Sequence, residues 1–278
     1  MSPEGGARAV PIAEVRALLA AVTVLDVRPE ADFESAHVAA SGNIPADDLE
    51  ARRHELPPES SRVLVVAAEA RAAERAARAL ESRFSDLAWL DAPVARLLER
   101  DAERGPGTRL WRPAPFLESV AGPIPRGPAL DLACGAGREA VFLALHGFAV
   151  EAWDHDPDAL ARCATLARRS GVALETRERD LEADDPGIPE GVFALVTCFR
   201  FLHRPLFAAI ERALAPGGHL VYETYRVGQE RFGRPRRPRF LVESGELPRA
   251  FAGLEILAYE EPSPPAGPLT ARLHARRR

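Results

Sequence analysis

The stretch from Ala129 to Asp156, ALDLACGAGREAVFLALHGFAVEAWDHD, limits the fold more than any other part of the chain. A short apolar run enters Gly135-Ala136-Gly137, a helical pattern follows and stops at Gly147, and a second apolar run ends in acid. That order reads as strand, tight turn, helix and strand, the unit from which parallel sheets are built. Glycines at the turn let the backbone approach a ligand closely, and the free amides that open the helix attract polar groups. Asp154 follows Gly135 by 19 residues, about the spacing at which a carboxylate meets a ribose. By itself the run suits any adenosine-containing ligand.

At 278 residues the chain is long enough for two domains. The segment ERGPGTRLWRPAPFLESVAGPIPRGPAL is crowded with Pro and Gly and carries at most a short helix around Phe116 to Val120, so it reads as a linker. Expected boundaries are a first domain over 8–104, a linker over 105–128 and a second domain over 129–278. Charge differs between the halves. Residues 1–107 hold 13 Arg against 19 acids, and the remainder holds 23 Arg against 22. Neither half is a basic nucleic-acid binder. All 36 basic residues are arginine, which excludes a Schiff-base lysine and a P-loop. The three cysteines, Cys134, Cys163 and Cys198, match no metal spacing, so no metal site is expected. No run is long enough to span a bilayer, and the first eight residues lack the character of a signal peptide. A cytoplasmic protein is the expectation.

In the first half, VTVLDV (Val22 to Val27) and RVLVVAA (Arg62 to Ala68) suit buried parallel strands, and IAEVRALLA and EARAAERAARALESRF have helical spacing. A small α/β domain follows. Its residues VLDVRPEADFESAHVAASGNIP, VLVVAAEARAAERAARAL and FSDLAWLDAPV resemble the rhodanese family. That family carries sulfur on a cysteine that opens the loop after the second quoted strand. Here that position is Ala67 or Ala68, and the domain has no cysteine. The resemblance therefore implies a non-catalytic domain, used for docking, for homo-oligomer formation, as a cover for the second site, or retained as a stabilising relic. Asp26, Arg28 and His37 would line a vestigial pocket or form a fold-stabilising polar cluster.

In the second half, Asp131 stands just before the glycine turn, where a carboxylate would repel a pyrophosphate and suit an ammonium group. Asp180 ends the next strand, and ERALAPGGHLVYETY supplies a helix, a Pro-Gly-Gly turn and a strand. In this order the motifs resemble class I S-adenosylmethionine-dependent methyltransferases. The resemblance implies a Rossmann-like, seven-stranded, mostly parallel sheet, with LEILAYEE and LTARLHARR forming a final antiparallel pair. It also implies roles. Asp131 and the backbone of Ala133, Gly135 and Gly137 would hold the methionine end. Asp154 would bind the ribose hydroxyls, with His155 beside the adenine. Asp180 and the backbone of Leu181 would read the adenine, and Cys198 with Phe199 would lie near the sulfonium. The plain alternatives are that Cys134 and Cys198 are small core residues and that Asp180 caps the segment after it.

For the acceptor, Arg200, His203 and Arg204 follow the fourth strand. A helical turn there would put Arg200 and His203 on one face, and a histidine suits proton removal. Tyr222, Glu223 and Tyr225 end the Pro-Gly-Gly strand. Beyond them five arginines crowd 231–239, Arg234 among them, as an oxyanion-binding cover or a solvated loop. The blocks DLACGAGREAVFLALHG and FRFLHRP with GGHLVYETY are similar to the tellurite-resistance-like group, which implies a small chalcogen oxyanion or thiol as acceptor. Two other readings stand beside this enzyme: a non-catalytic S-adenosylmethionine-binding regulator, and a sulfurtransferase, which the missing cysteine disfavours.

Overall fold

The computed structural model describes residues 6–278, apart from the side chains of Arg100 and Asp101. Most of the segment read for an export signal lies outside them. Two compact units divide between Arg112 and Pro113.

The first unit runs β1 (Arg8–Val10), α1 (Ile12–Leu18), β2 (Thr23–Asp26), α2 (Glu30–Ser35), β3 (His37–Val38), β4 (Gly42–Asn43), β5 (Arg62–Val66), α3 (Ala70–Leu80), β6 (Asp86–Leu90), α4 (Ala95–Asp101) and β7 (Ala102–Glu103). Its parallel sheet has the order β1-β6-β5-β2-β4, with β3 and β7 paired separately. The unbroken Val and Leu runs of β2 and β5 are explained by burial on both sides. Leu25, Val63 and Val65 enter one core, and Val24, Leu64 and Val66 enter the other. Ala73, Ala76, Ala77 and Leu80 give α3 its buried stripe.

The second unit continues α5 (Pro115–Val120), β8 (Pro128–Leu132), α6 (Arg138–Leu145), β9 (Ala149–Asp154), α7 (Pro157–Arg169), β10 (Glu175–Glu178), β11 (Phe193–Phe199), α8 (Phe207–Ala213), β12 (Leu214–Tyr225), α9 (Glu246–Ala250), β13 (Glu255–Glu260) and β14 (Thr270–Arg276). The seven strands are ordered β10-β9-β8-β11-β12-β14-β13. Five run parallel from β10 to β12, and β14 lies antiparallel to both its neighbours. The chain leaves β8 toward β9 and returns on the other side at β11. That reversal opens a crevice at the carboxyl ends of β8 and β11.

The Pro-Gly-Gly turn differs from the expected separation of turn and strand. Leu214 already pairs with Phe193 and His219 pairs with Leu195, so the residues between them bulge out of β12. Gly217 takes φ 76° there. A Cβ on Gly218 would lie 2.6 Å from the Phe193 carbonyl, so any other residue would have to displace backbone. Among the described residues, no helix is long and apolar enough to cross a membrane, and no cluster of His, Cys, Asp and Glu could hold a metal.

Candidate active site

Asp131 lies on β8 opposite Thr197 of β11, beside the reversal of strand order. It is 1% exposed. Thr197 Oγ1 donates to its Oδ1 at 2.7 Å, while its Oδ2 is buried without a hydrogen-bond partner. Burial, reinforced by the charge of Glu139, pushes this carboxyl well above the usual carboxylate range. The residues immediately past β8 and β11, Ala133 (φ 54°) and Arg200 (φ 59°), are both left-handed without being glycine. Such strained positions collect at functional sites.

Asp154 braces the glycine turn. Its Oδ2 accepts the Gly135 N–H at 2.8 Å and its Oδ1 accepts the Asp156 N–H at 3.0 Å. Each oxygen keeps further acceptor capacity. The two glycines serve different ends. A Cβ on Gly137 (φ 83°) would lie 2.2 Å from Cys163 Sγ, so this glycine lets α6 and α7 approach; one on Gly135 (φ 53°) would meet nothing within 4 Å. The space over Gly135 and the uncapped start of α6 are thus open to a ligand.

The other positions divide. His155 is exposed, its Nδ1 3.3 Å from Asp154 Oδ1. Asp180 is exposed and accepts the Glu182 N–H at 2.9 Å, as a turn cap. Leu181 and Cys198 both belong to the core. Burial pushes the Cys198 thiol up to about 12, so it is an inert packing group.

Arg200 and His203 do not share a helical face as expected. Arg200 is left-handed, His203 is extended (φ −135°), and helical geometry begins only at Arg204. Arg204 also differs from its expected acceptor role. All three of its guanidinium nitrogens donate within the protein: to Glu246 through Nε at 2.6 Å and Nη2 at 3.0 Å, to the Arg239 carbonyl at 3.0 Å and to the Leu241 carbonyl at 2.9 Å. It fastens the end of the arginine-rich loop to α9. Gln229, buried, fastens the start, accepting from Leu269 N–H at 2.8 Å and donating to the Arg234 carbonyl at 3.3 Å. Arg234 itself is exposed and Tyr225 half-buried. Glu246, Gln229, Glu139 and Arg272 were not legible as parts of this site. Glu139 and Glu246, acids in the first turns of α6 and α9, left a local signal, complementing the helix dipoles.

Residues 129–218 match the methyltransferase domain family, and residues 12–95 match the rhodanese-like domain family. The second unit is a class I, S-adenosylmethionine-dependent methyltransferase domain, and the first is a rhodanese-like domain. An uncharacterized protein of Schizosaccharomyces pombe is 25% identical over 81% of this chain and 83% of its own length. Trans-aconitate 2-methyltransferase of Rhizobium meliloti is 31% identical over 55% of this chain and 59% of its own. A probable S-adenosyl-L-methionine-dependent methyltransferase TehB of Haemophilus influenzae is 29% identical over 48% and 47%. The chain thus spans about half the length of these last two relatives. The crystal structure of TehB from Haemophilus influenzae aligns with a TM-score of 0.49 at 20% identity, over 59% of this chain and 61% of that one.

In the methyltransferase domain, a buried carboxylate with one orphaned oxygen beside an open glycine turn attracts a cation and repels a pyrophosphate. That fits the methyl donor. In the rhodanese-like domain, Arg28 forks onto Asp26, with Nη2–Oδ2 at 2.7 Å, and donates to the Ala36 carbonyl at 2.8 Å. Asn43 bonds the carbonyls of Asp26 and Arg28 at 2.8 and 2.9 Å, and His37 stacks on Phe33 at 4.0 Å. These polar groups satisfy one another. Ala67, one of the two positions where the resemblance puts the family's cysteine, is buried, and its carbonyl accepts the Val94 N–H at 3.0 Å.

Proposed function

We propose that this protein transfers a methyl group from S-adenosylmethionine to a small acceptor, a chalcogen oxyanion or a thiol, and that its rhodanese-like unit transfers no sulfur. The observation that carries the reading is Asp131, buried at the reversal of strand order with one oxygen that has no hydrogen-bond partner. When bound, the donor supplies a methyl group on a sulfonium, open to in-line displacement by a nucleophile.

The chain's own residues hold and align. Asp131 meets the cationic methionine end, while the backbone of Ala133, Gly135 and Gly137 lies against it. Asp154, already bracing the turn, takes the ribose hydroxyls on its remaining lone pairs. Leu181 offers backbone to the adenine, with Asp180 and His155 at the rim. Arg200, the first residue beyond β11, faces the acceptor side together with His203, Tyr225 and Arg234. Fixed alignment of nucleophile, methyl group and leaving sulfur is the larger part of such catalysis.

Calorimetric titration with S-adenosylmethionine and with NAD tests the reading. Binding of the first is expected, abolished in Asp154→Ala, with none of the second. Tight NAD binding would overturn it. Turnover to S-adenosylhomocysteine against thiols, selenite and tellurite then identifies the acceptor.

A further inference from the structure

Asp131 is not the only buried acid of this crevice with an unmet oxygen. Glu223 on β12 is 6% exposed, and its Oε2 also lacks a hydrogen bond. Register places the two on the same side of the sheet. Asp131 lies opposite Thr197, Thr197 opposite Val221, and Glu223 is two residues further along β12. Tyr222 and Leu220, which alternate with them, point into the core on the other side. The Arg200 N–H donates to the Glu223 carbonyl at 2.7 Å, so Glu223 stands level with the first residue beyond β11, at the mouth of the crevice.

Three charged groups bear on its carboxylate. Arg272 of β14 has Nε 3.1 Å from Oε2, off the line of a hydrogen bond. Arg272 also faces Glu260 of β13, 3.7 Å from its Nη1, so its charge is shared. Arg200 adds a more distant positive charge and Glu139 a negative one. Burial is the largest influence and raises the carboxyl above its usual range against the pull of both arginines. The result is a buried oxygen, beside a guanidinium, whose lone pairs accept no hydrogen bond.

Resting on the methyltransferase reading, we propose that Glu223 Oε2 takes the proton of a protic acceptor, a thiol or hydroxyl. The X–H bond breaks and its electron pair forms X–CH3. The CH3–S bond of the sulfonium breaks, its pair stays on sulfur, and a neutral thioether leaves. The proton rests on Glu223 and returns to water as product departs. A base closer in strength to the acceptor than an ordinary carboxylate serves this step better.

Glu223→Gln in the full chain tests it with two probes, 2-mercaptoethanol, which carries a proton, and thiocyanate, which does not. The expected result is a fall of about 10²–10⁴-fold in kcat for 2-mercaptoethanol, with thiocyanate turnover changed less than about threefold. The loss should shrink as pH climbs above the ~8.5 of a free cysteine toward the higher value of this alkyl thiol, where the thiolate forms unaided. The affinity for S-adenosylmethionine by calorimetry should be unchanged, and Glu223→Asp should recover part of the activity. Without any ligand, the variant should also melt higher than wild type near neutral pH, the gap closing toward acid as the native carboxyl protonates. Equal losses on both probes, a pH-independent loss, or donor binding with no turnover of 2-mercaptoethanol would overturn the role of Glu223. Failure of the wild type to bind S-adenosylmethionine would instead overturn the methyltransferase reading.

Discussion

Asp131→Asn separates what this residue does for the fold from what it does for the ligand. The folded protein raises the Asp131 carboxyl well above its ordinary value, chiefly by burial. The native state therefore binds a proton more tightly than the unfolded chain does. Stability falls as pH rises from the unfolded value through the folded one, and the penalty is complete above both. Asparagine copies the shape and neutrality of the protonated acid and removes that penalty. Every tenfold by which folding tightens proton binding is worth about 1.4 kcal/mol. In a domain of this size each kcal/mol moves the melting temperature by about 2–4 °C. Differential scanning calorimetry at pH 8 should therefore show the methyltransferase unit of Asp131→Asn melting higher by about 3–6 °C for every such tenfold. The gap should close near pH 4, and at least a tenfold loss in S-adenosylmethionine affinity should accompany it. A variant that melts lower at pH 8, a gap that widens toward acid, or unchanged donor affinity would refute the reasoning.

Gly137→Ala combines a left-handed backbone with a Cβ 2.2 Å from Cys163 Sγ and should destabilise by about 2–5 kcal/mol in denaturant melts. Gly135→Ala, which adds its methyl to open space, should cost about 1–2 kcal/mol yet lose donor binding by calorimetry. Arg204→Ala cuts the tie between Glu246 and the carbonyls of Arg239 and Leu241. Hydrogen exchange should show faster opening across 228–242 while the donor still binds with wild-type affinity; lost donor binding with unchanged exchange would refute the clamp. His219 Nδ1 and His274 Nε2 share a hydrogen bond at 2.9 Å. Burial lowers both imidazoles, His274 to about 4. The unfolded chain binds more protons between about pH 6.5 and 4, so stability falls as pH drops through that window. His274→Gln should flatten this acid limb in melts at stepped pH, and an unaltered limb would refute the assignment.

Local patterns declared themselves in the sequence because each is written within about one strand-turn-helix unit. Left-handed turns demand Gly135 and Gly137. Strand periodicity set β2, β5 and β8 in their sheets, and the spacing from Gly135 to Asp154 reflects a crossover whose length geometry fixes. Asp131 stood out because an acid at the end of an apolar strand has no structural excuse. The sequence also showed, by the absence of any cysteine before Cys134, that the first unit has no thiol to carry sulfur. What it did not show depends on register between distant strands. Whether β14 lies beside β12 or at the sheet edge decides that Arg272 faces Glu223, and nothing near either residue encodes that choice. Arg204 looked like an anion ligand until Glu246, 42 residues away, occupied it. Charge is visible in a sequence, but whether a charge is already answered is decided only when the chain closes on itself.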